Sequence, residues 1–158
     1  MAKSEHLISL AQRIADETPG FFERKGPGKG DRAANSFMAR LREQALKALG
    51  GDFSEKKIVE NTNLAVDFFF PDEGTIVEVA LRLGNPKSEF ERDVLKTLLA
   101  KEKDGNVKHL IFVSKPGGRK RYEQPSSQAI MSWAKRNHGI EISIEELSNN
   151  RRHSRSAA

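Results

Sequence analysis

The sequence contains no cysteine, which excludes disulfide bonds, zinc–thiolate sites and thiol nucleophiles. It contains no run of about 18 apolar residues and therefore predicts no transmembrane helix. Its first residues, Met1 to His6, lack the apolar stretch and the cleavage site of a secretory signal peptide. No phosphate-binding glycine loop and no Ser–His–Asp set can be recognised, and the histidines lack the spacing of metal ligands. We therefore expect a soluble, cytoplasmic protein.

Positive charge is concentrated in a few segments of the chain. The 27 Lys and Arg residues exceed the 22 Asp and Glu residues and give a formal net charge of +5. Residues 149–158 are predicted to be a disordered basic tail, and further basic segments lie at 24–30 and 115–121. Such segments favour a polyanion such as nucleic acid, because neutralised phosphates release counterions. The alternative is that they are solvated loops that only aid solubility.

The apolar pattern predicts an α/β or α+β domain with three layers around a mixed sheet. The 158 residues suffice for one domain, which we expect over 1–148, with residues 1–34 forming a helix capped by Ser4 and a basic, glycine-rich linker. Apolar residues at helical spacing predict helices, and short β-rich runs between turn residues predict strands. Two helices, 4–17 and 35–48, are followed by three strands, 56–59, 64–70 and 75–83. The remaining elements are helix 88–102, strand 109–113, helix 126–137 and strand 140–144.

Two acidic residues interrupt apolar strands. Asp67 and Glu78 lie equally far from the turn at 71–74, so the hairpin should place them opposite each other, with Cβ atoms roughly 4.5–5.5 Å apart. Two buried carboxylates at that distance repel unless one is protonated or a cation lies between them. A magnesium ion, which takes one or two protein carboxylates, meets this need. The alternative interpretation leaves one acid at a solvated edge and the other paired with a nearby cation: Lys56, Lys57 or Arg82.

Residues 35–114 are predicted to form a helix, a three-stranded meander, a helix and a strand, with Asp67 and Glu78 in the second and third strands of the meander. This arrangement resembles the core of the PD-(D/E)XK nuclease superfamily. The resemblance implies a restriction-endonuclease-like fold and hydrolysis of DNA phosphodiester bonds with Mg²⁺ or Mn²⁺. Asp67 and Glu78 would hold the metal, with the backbone carbonyl of Val79 as a further ligand. It also implies DNA, branched or damaged, as the partner, and action as a homodimer. The 115–121 segment would then contact DNA through four cations: Lys115, Arg119, Lys120 and Arg121.

The sequence departs from this family at one position. The family's lysine, two residues after the glutamate, is replaced by Ala80. Arg82 lies on the same face of the strand as Glu78, although a guanidinium positions charge and scarcely acts as a base. Lys87 or Lys96 of the next helix could supply the missing ammonium. The apolar residues Phe90, Val94, Leu95 and Leu98 define the inner face of this helix and leave Lys96 on the opposite, solvated side. We therefore prefer Arg82 or Lys87. A third alternative is that catalysis is lost and the chain is a nucleic-acid-binding or assembly module.

Four other residues carry weaker predictions. Glu91 falls on the apolar stripe of its helix and could contact the site, whereas Glu43 phases outward as a surface residue. Tyr122 could stack on bases. Trp133 is predicted to belong to the core.

Overall fold

A computed structural model describes residues 1–23, 29–81 and 86–150, and of residues 29–31 and 86–88 it describes the backbone alone. The described chain is α+β, with four helices and five strands in the predicted order plus one short helix, α4, that was not predicted. The elements are α1 (Lys3–Glu17), α2 (Lys29–Ala48), β1 (Ser54–Lys57), β2 (Ala65–Phe70), β3 (Thr75–Ala80), α3 (Pro86–Lys103), β4 (His109–Ser114), α4 (Gly118–Tyr122), α5 (Pro125–His138) and β5 (Glu141–Glu146). No helix in these ranges is long and apolar enough to cross a membrane.

The five strands form one mixed sheet in the order β1-β2-β3-β4-β5. The first three pair antiparallel, and β4 and β5 add in parallel, which confirms the predicted meander and crossover. β5 lies at one edge, as its alternating pattern predicts. β1 forms the other edge and is short, and Glu55 within it adopts the left-handed conformation at φ 48°.

Helices cover both faces of the sheet. The apolar residues of α1, Leu7, Leu10 and Ile14, recur at helical spacing and pack with α2 against the face that carries Phe68 and Phe70. On the opposite face, α3 and α5 pack against a second cluster of buried residues: Ile76, Leu110, Phe112, Ile142 and Ile144. The sheet is therefore the middle of three layers, and any side chain of β2 or β3 that points toward α3 is enclosed.

Several sequence predictions are corrected at the N-terminal end. Residues 29–34, predicted as linker, belong to α2, while 24–28 lie outside the described residues. β1 begins two residues before its predicted position. The N-cap of α1 is Ala2 and not Ser4. The N–H and hydroxyl groups of Ser4 instead donate hydrogen bonds to the Glu73 carboxylate at 3.2 and 2.7 Å. An acid from another element thus satisfies free N–H groups in the first turn of α1.

Two predictions further along the chain are also affected. Trp133 is 40 % exposed and lies edge-on to the His138 ring, so the prediction that it is a core residue is wrong. α5 directs the small Ala134 to the core, next to Trp133 in sequence. β3 ends at Ala80, and residues 82–83 of the longer predicted strand lie outside the described residues.

We expect Gly74→Ala to lower the free energy of unfolding by about 2–4 kcal/mol. Gly74 has φ 61°, and a Cβ there would lie 2.1 Å from the Asn106 carbonyl oxygen. The Gly74 carbonyl also accepts hydrogen bonds from the N–H groups of Lys108 and His109 at 2.9 and 3.1 Å, which join this turn to β4. Gly50→Ala is the matched control, because Gly50 has φ 74° but no atom within 4 Å of the position that a Cβ would take. Urea unfolding should give a loss of only about 1–2 kcal/mol there; equal losses would contradict the close approach at Gly74.

Candidate functional site

Four ionisable side chains meet between the sheet and α3, and we call them the acidic cluster: Asp67 of β2, Glu78 of β3, and Asp93 and Lys96 of α3. The side chains of Glu78, Lys96 and Asp93 are only 6 %, 11 % and 16 % exposed. Carboxylates are rarely buried to this extent unless they are paired or hold a cation.

The register of the β2–β3 hairpin brings Asp67 and Glu78 together. Phe68 pairs with Val77, and Asp67 and Glu78 are the next residues along each strand away from the turn. The two carboxyl groups are close enough for Asp67 to raise the pKa of Glu78, while their direct pairing stays a prediction. Asp67 Oδ2 accepts a hydrogen bond from the Val79 N–H at 2.8 Å, so the backbone of β3 fixes one oxygen of this carboxylate.

Lys96 connects the helix to both strands. Its Nζ donates to Glu78 Oε1 at 3.1 Å and to the Ala65 carbonyl oxygen at 2.9 Å. The same ammonium lies 2.7 Å from Asp93 Oδ1, one helical turn earlier in α3. Lys96 therefore forms contacts with β2, β3 and its own helix at once.

The prediction that Lys96 is solvated is wrong. That prediction counted Leu95 among the inner residues of α3, whereas Leu95 is 59 % exposed. The buried side of α3 instead includes Phe90, Val94 and Ala100, and Lys96 precedes the fully buried Thr97. This rotation of the helix turns Lys96 toward the sheet, where its long side chain reaches the carboxylates.

Burial and mutual repulsion shift the proton equilibria of the acidic cluster. Burial, together with the neighbouring Asp67 and Asp93, raises the pKa of Glu78 to about 9. Burial likewise raises the pKa of Asp93, although contact with Lys96 opposes it. Burial alone would lower the pKa of Lys96, but Glu78 and Asp93 together raise it. Lys96 is therefore an ammonium at neutral pH, and Glu78 competes for a proton.

The donor set of the acidic cluster fits a hard divalent cation. The acidic cluster contains three carboxyl groups and one ammonium, which contacts Glu78 and Asp93, so full ionisation leaves an excess of negative charge that protons or a cation must offset. Within the described ranges, no group of three or more His, Asp or Glu side chains could hold a metal ion by itself. A metal here would rely on Asp67 and Glu78 and on water or substrate oxygens, which is the usual coordination of magnesium. The Val79 carbonyl stays a predicted ligand.

The other cations predicted near this site are not placed. Arg82 lies outside the described residues, and of Lys87 only the backbone, in the first turn of α3, is described. Their predicted roles remain predictions. Glu91 is exposed on α3. Glu43 is also exposed, as predicted, and pairs with Lys47 at 3.1 Å.

The basic segment at 115–121 is partly helical, since α4 begins at Gly118. Lys115 Nζ lies 4.6 Å from the centre of the Phe21 ring, and the Arg119 guanidinium donates to the Ile144 carbonyl of β5 at 3.2 Å. Lys120 is exposed and Arg121 is half-buried. Lys115, Arg119 and Arg121 thus also have partners within the protein.

Tyr122, predicted as a residue that could stack on bases, is buried. Its ring centre lies 5.2 Å from that of Phe90 and 5.3 Å from that of Phe112. Burial raises the pKa of its hydroxyl to about 12. A ring enclosed in this way belongs to the core, so the stacking prediction is wrong.

No protein-family model matches the chain, and searches of curated proteins and of solved structures find no significant match. The function must therefore be argued from the site itself.

Proposed function

We propose that the chain is a metal-dependent nuclease that hydrolyses DNA phosphodiester bonds, with a restriction-endonuclease-like core of the PD-(D/E)XK type. The observation that carries this proposal is the contact between the Lys96 ammonium and the Glu78 carboxylate, beside Asp67 on the adjacent strand. These are the three residue types of the family's motif, with the lysine supplied by a helix.

Lys96 would take the role of the family's motif lysine, whose position in this chain is occupied by Ala80. Position 80 lies on the same face of β3 as Glu78, and Ala80 packs against the buried apolar residues between the sheet and α3. A lysine at position 80 and the lysine at 96 would compete for the same carboxylate. Alanine at position 80 is therefore compatible with an ammonium that enters from α3, and the proposed site needs neither Arg82 nor Lys87.

The residues of the acidic cluster have separate roles in the proposed reaction. Asp67 and Glu78 would hold the metal, which when bound activates water and offsets charge on the phosphate. Lys96 remains protonated because its pKa is raised, so it donates hydrogen bonds and does not accept a proton. It would orient the attacking water and stabilise the negative charge that develops on the phosphate. Asp93 holds the Lys96 ammonium in place.

A second candidate function is a nucleic-acid-binding or assembly module without catalysis. The observation that favours it is the partial neutralisation of Glu78 and Asp93 by Lys96. An ammonium in this position can replace a metal as the counterion of the carboxylates. The basic segments would then bind DNA phosphates, and the acidic cluster would have a purely structural role.

Calorimetric titration with Mg²⁺ and with Mn²⁺, together with cleavage of plasmid and branched DNA, tests the proposal. The wild type should bind the metal and cleave, whereas Asp67→Asn and Glu78→Gln should lose binding and slow cleavage by about 10²–10³-fold. Glu43→Gln, which changes an exposed acid, is the matched control and should leave both unchanged.

The outcomes separate the two candidate functions. Metal binding without cleavage in the wild type would favour the binding module. Identical metal binding by the wild type and both cluster variants would remove the metal site and leave Asp67 and Glu78 as partners of internal hydrogen bonds and ion pairs.

A further inference from the structure

A small apolar cavity of about 140 Å³ opens between the β1–β2 edge of the sheet and the C-terminal half of α3. Its walls include Ile58, Val66, Phe69, Ile76 and Ala100. Sites for whole small molecules usually measure about 300–1,000 Å³, so this cavity has room for one ring system and not for a larger cofactor. We call it the β1–α3 pocket.

Lysines surround the mouth of the β1–α3 pocket. Lys56, Lys57 and Lys103 line it and are exposed. None of the three forms a salt bridge with any residue in the described ranges. The one acid at the rim, Asp104, accepts a hydrogen bond from the Asn106 N–H at 3.0 Å, which partly offsets its charge. An apolar interior thus lies behind a positively charged mouth.

The β1–α3 pocket adjoins the acidic cluster. Val66 of its wall precedes Asp67 in β2, and Ala100 follows Lys96 by four residues, about 6 Å along α3. A ligand that occupies the pocket would therefore have its neighbouring groups within a few ångströms of the proposed reaction site.

We propose that the β1–α3 pocket binds one base of a DNA strand while the three lysines contact the adjacent phosphates. This inference rests on the proposed function, because it identifies the kind of DNA that the same site would take. A base presents apolar π faces and is flanked by negatively charged phosphates, which matches apolar walls behind a basic rim. Phe69 offers an aromatic surface, and contacts of bases with aromatic side chains tolerate any sequence.

The proposal predicts a preference for unpaired nucleotides. A base inside a duplex must unstack and unpair before it can enter a cavity, and an unpaired base avoids this free-energy cost. The walls provide few polar groups, so we expect the pocket to detect the presence of a base more than its identity.

Fluorescence anisotropy without metal ions, in EDTA, measures this binding separately from cleavage. The wild type should bind a single-stranded oligonucleotide about tenfold more tightly than the same strand with abasic sites. Ala100→Leu, which fills the pocket, should abolish that difference and leave binding of the abasic strand unchanged. Ala48→Leu adds the same atoms at an exposed helical position and serves as the control.

The lysine rim is tested in the same assay. Lys57→Ala should weaken binding of both strands and reduce the slope of log affinity against log salt concentration by about one, whereas Lys47→Ala should not. Equal binding of the intact and abasic strands by the wild type would overturn the proposal and leave the pocket to an apolar side chain of a protein partner. This comparison needs no variant, so it holds even if Ala100→Leu does not fold.

Failure of the nuclease proposal gives a different result. A chain that binds bases in EDTA but never cleaves with Mg²⁺ or Mn²⁺ supports the pocket and contradicts the nuclease. A chain that cleaves but binds both strands equally contradicts the pocket alone.

Discussion

Replacing Lys96 with alanine should lower the free energy of unfolding by about 3–5 kcal/mol, because it removes the ammonium that pairs with the buried acids. The ammonium contacts Glu78, Asp93 and the Ala65 carbonyl, and each of these would lose a charged donor. Loss of one partner from a buried ion pair costs more than the pair contributes, because the remaining charge stays desolvated. Urea unfolding at about pH 8, where more of the carboxyl groups are ionised, should show the largest effect.

Two further variants separate charge from packing at this position. Lys96→Met keeps most of the side-chain volume and should retain part of the stability, whereas Lys47→Met, at an exposed lysine of α2, should change it by less than about 0.5 kcal/mol. If Lys96→Met is folded, its DNA cleavage should be slower by about 10²–10³-fold. Wild-type cleavage by that variant would restrict Lys96 to a structural role.

Glu78→Gln should make the metal-free protein more stable as the pH rises, by roughly 1–3 kcal/mol at about pH 8 relative to the wild type. The folded state holds a proton on Glu78 up to about pH 9, while the unfolded chain releases it near the ordinary value of 4.5. The folded state thus binds more protons between these values, and wild-type stability is lost as the pH rises through this interval. Glutamine resembles the protonated carboxyl group and can still accept the hydrogen bond of Lys96.

The difference between the two proteins isolates this effect. Burial lowers the pKa of His109, so this group makes stability rise with pH near neutrality, opposite in sign to Glu78, and it does so equally in both proteins. Denaturant titrations from about pH 5 to pH 8 should give curves that diverge as the pH increases. Parallel curves would mean that Glu78 ionises normally in the folded state.

Metal binding should displace the proton that Glu78 holds in the metal-free protein. Because the metal requires the ionised carboxylate, the affinity of the wild type for Mg²⁺ should increase about tenfold for each unit by which the pH rises, up to about pH 9. Calorimetry in two buffers of different ionisation enthalpy would report the release of about one proton. Affinity that does not change with pH would contradict the role of Glu78 as a ligand.

The sequence was sufficient for the parts of the fold that depend on local pattern. Alternation of apolar residues and turn residues defined β2 and β3, and equal distance from the turn indicated that Asp67 and Glu78 lie near each other on adjacent strands. The hairpin fixes this register because a shift by one residue would turn every side chain to the other face. The parallel addition of β4 and β5 followed from the helices that separate them.

The remaining features depend on contacts that a pattern does not contain. The burial of Lys96 depends on how α3 is rotated about its axis against the sheet, and the exposed Leu95, counted as an inner residue, gave a false inner face. The sequence signal for the true inner face of α3 was the pair of small residues Thr97 and Ala100. A second signal was the spacing of three residues between Asp93 and Lys96, which places both on one side of the helix. Ser4 was misassigned because its partner, Glu73, is 69 residues away.

The charges at the two edges of the sheet have a consequence for self-association. β1 presents two lysines and β5 ends in glutamates, so the edges of two copies attract each other head to tail, an arrangement that can grow into an open filament. Arg119 occupies the Ile144 carbonyl at one edge, and the left-handed Glu55 interrupts the other. These features oppose strand addition in the way that edge charges and bends do elsewhere. Association of two copies edge to edge through their strands is therefore disfavoured.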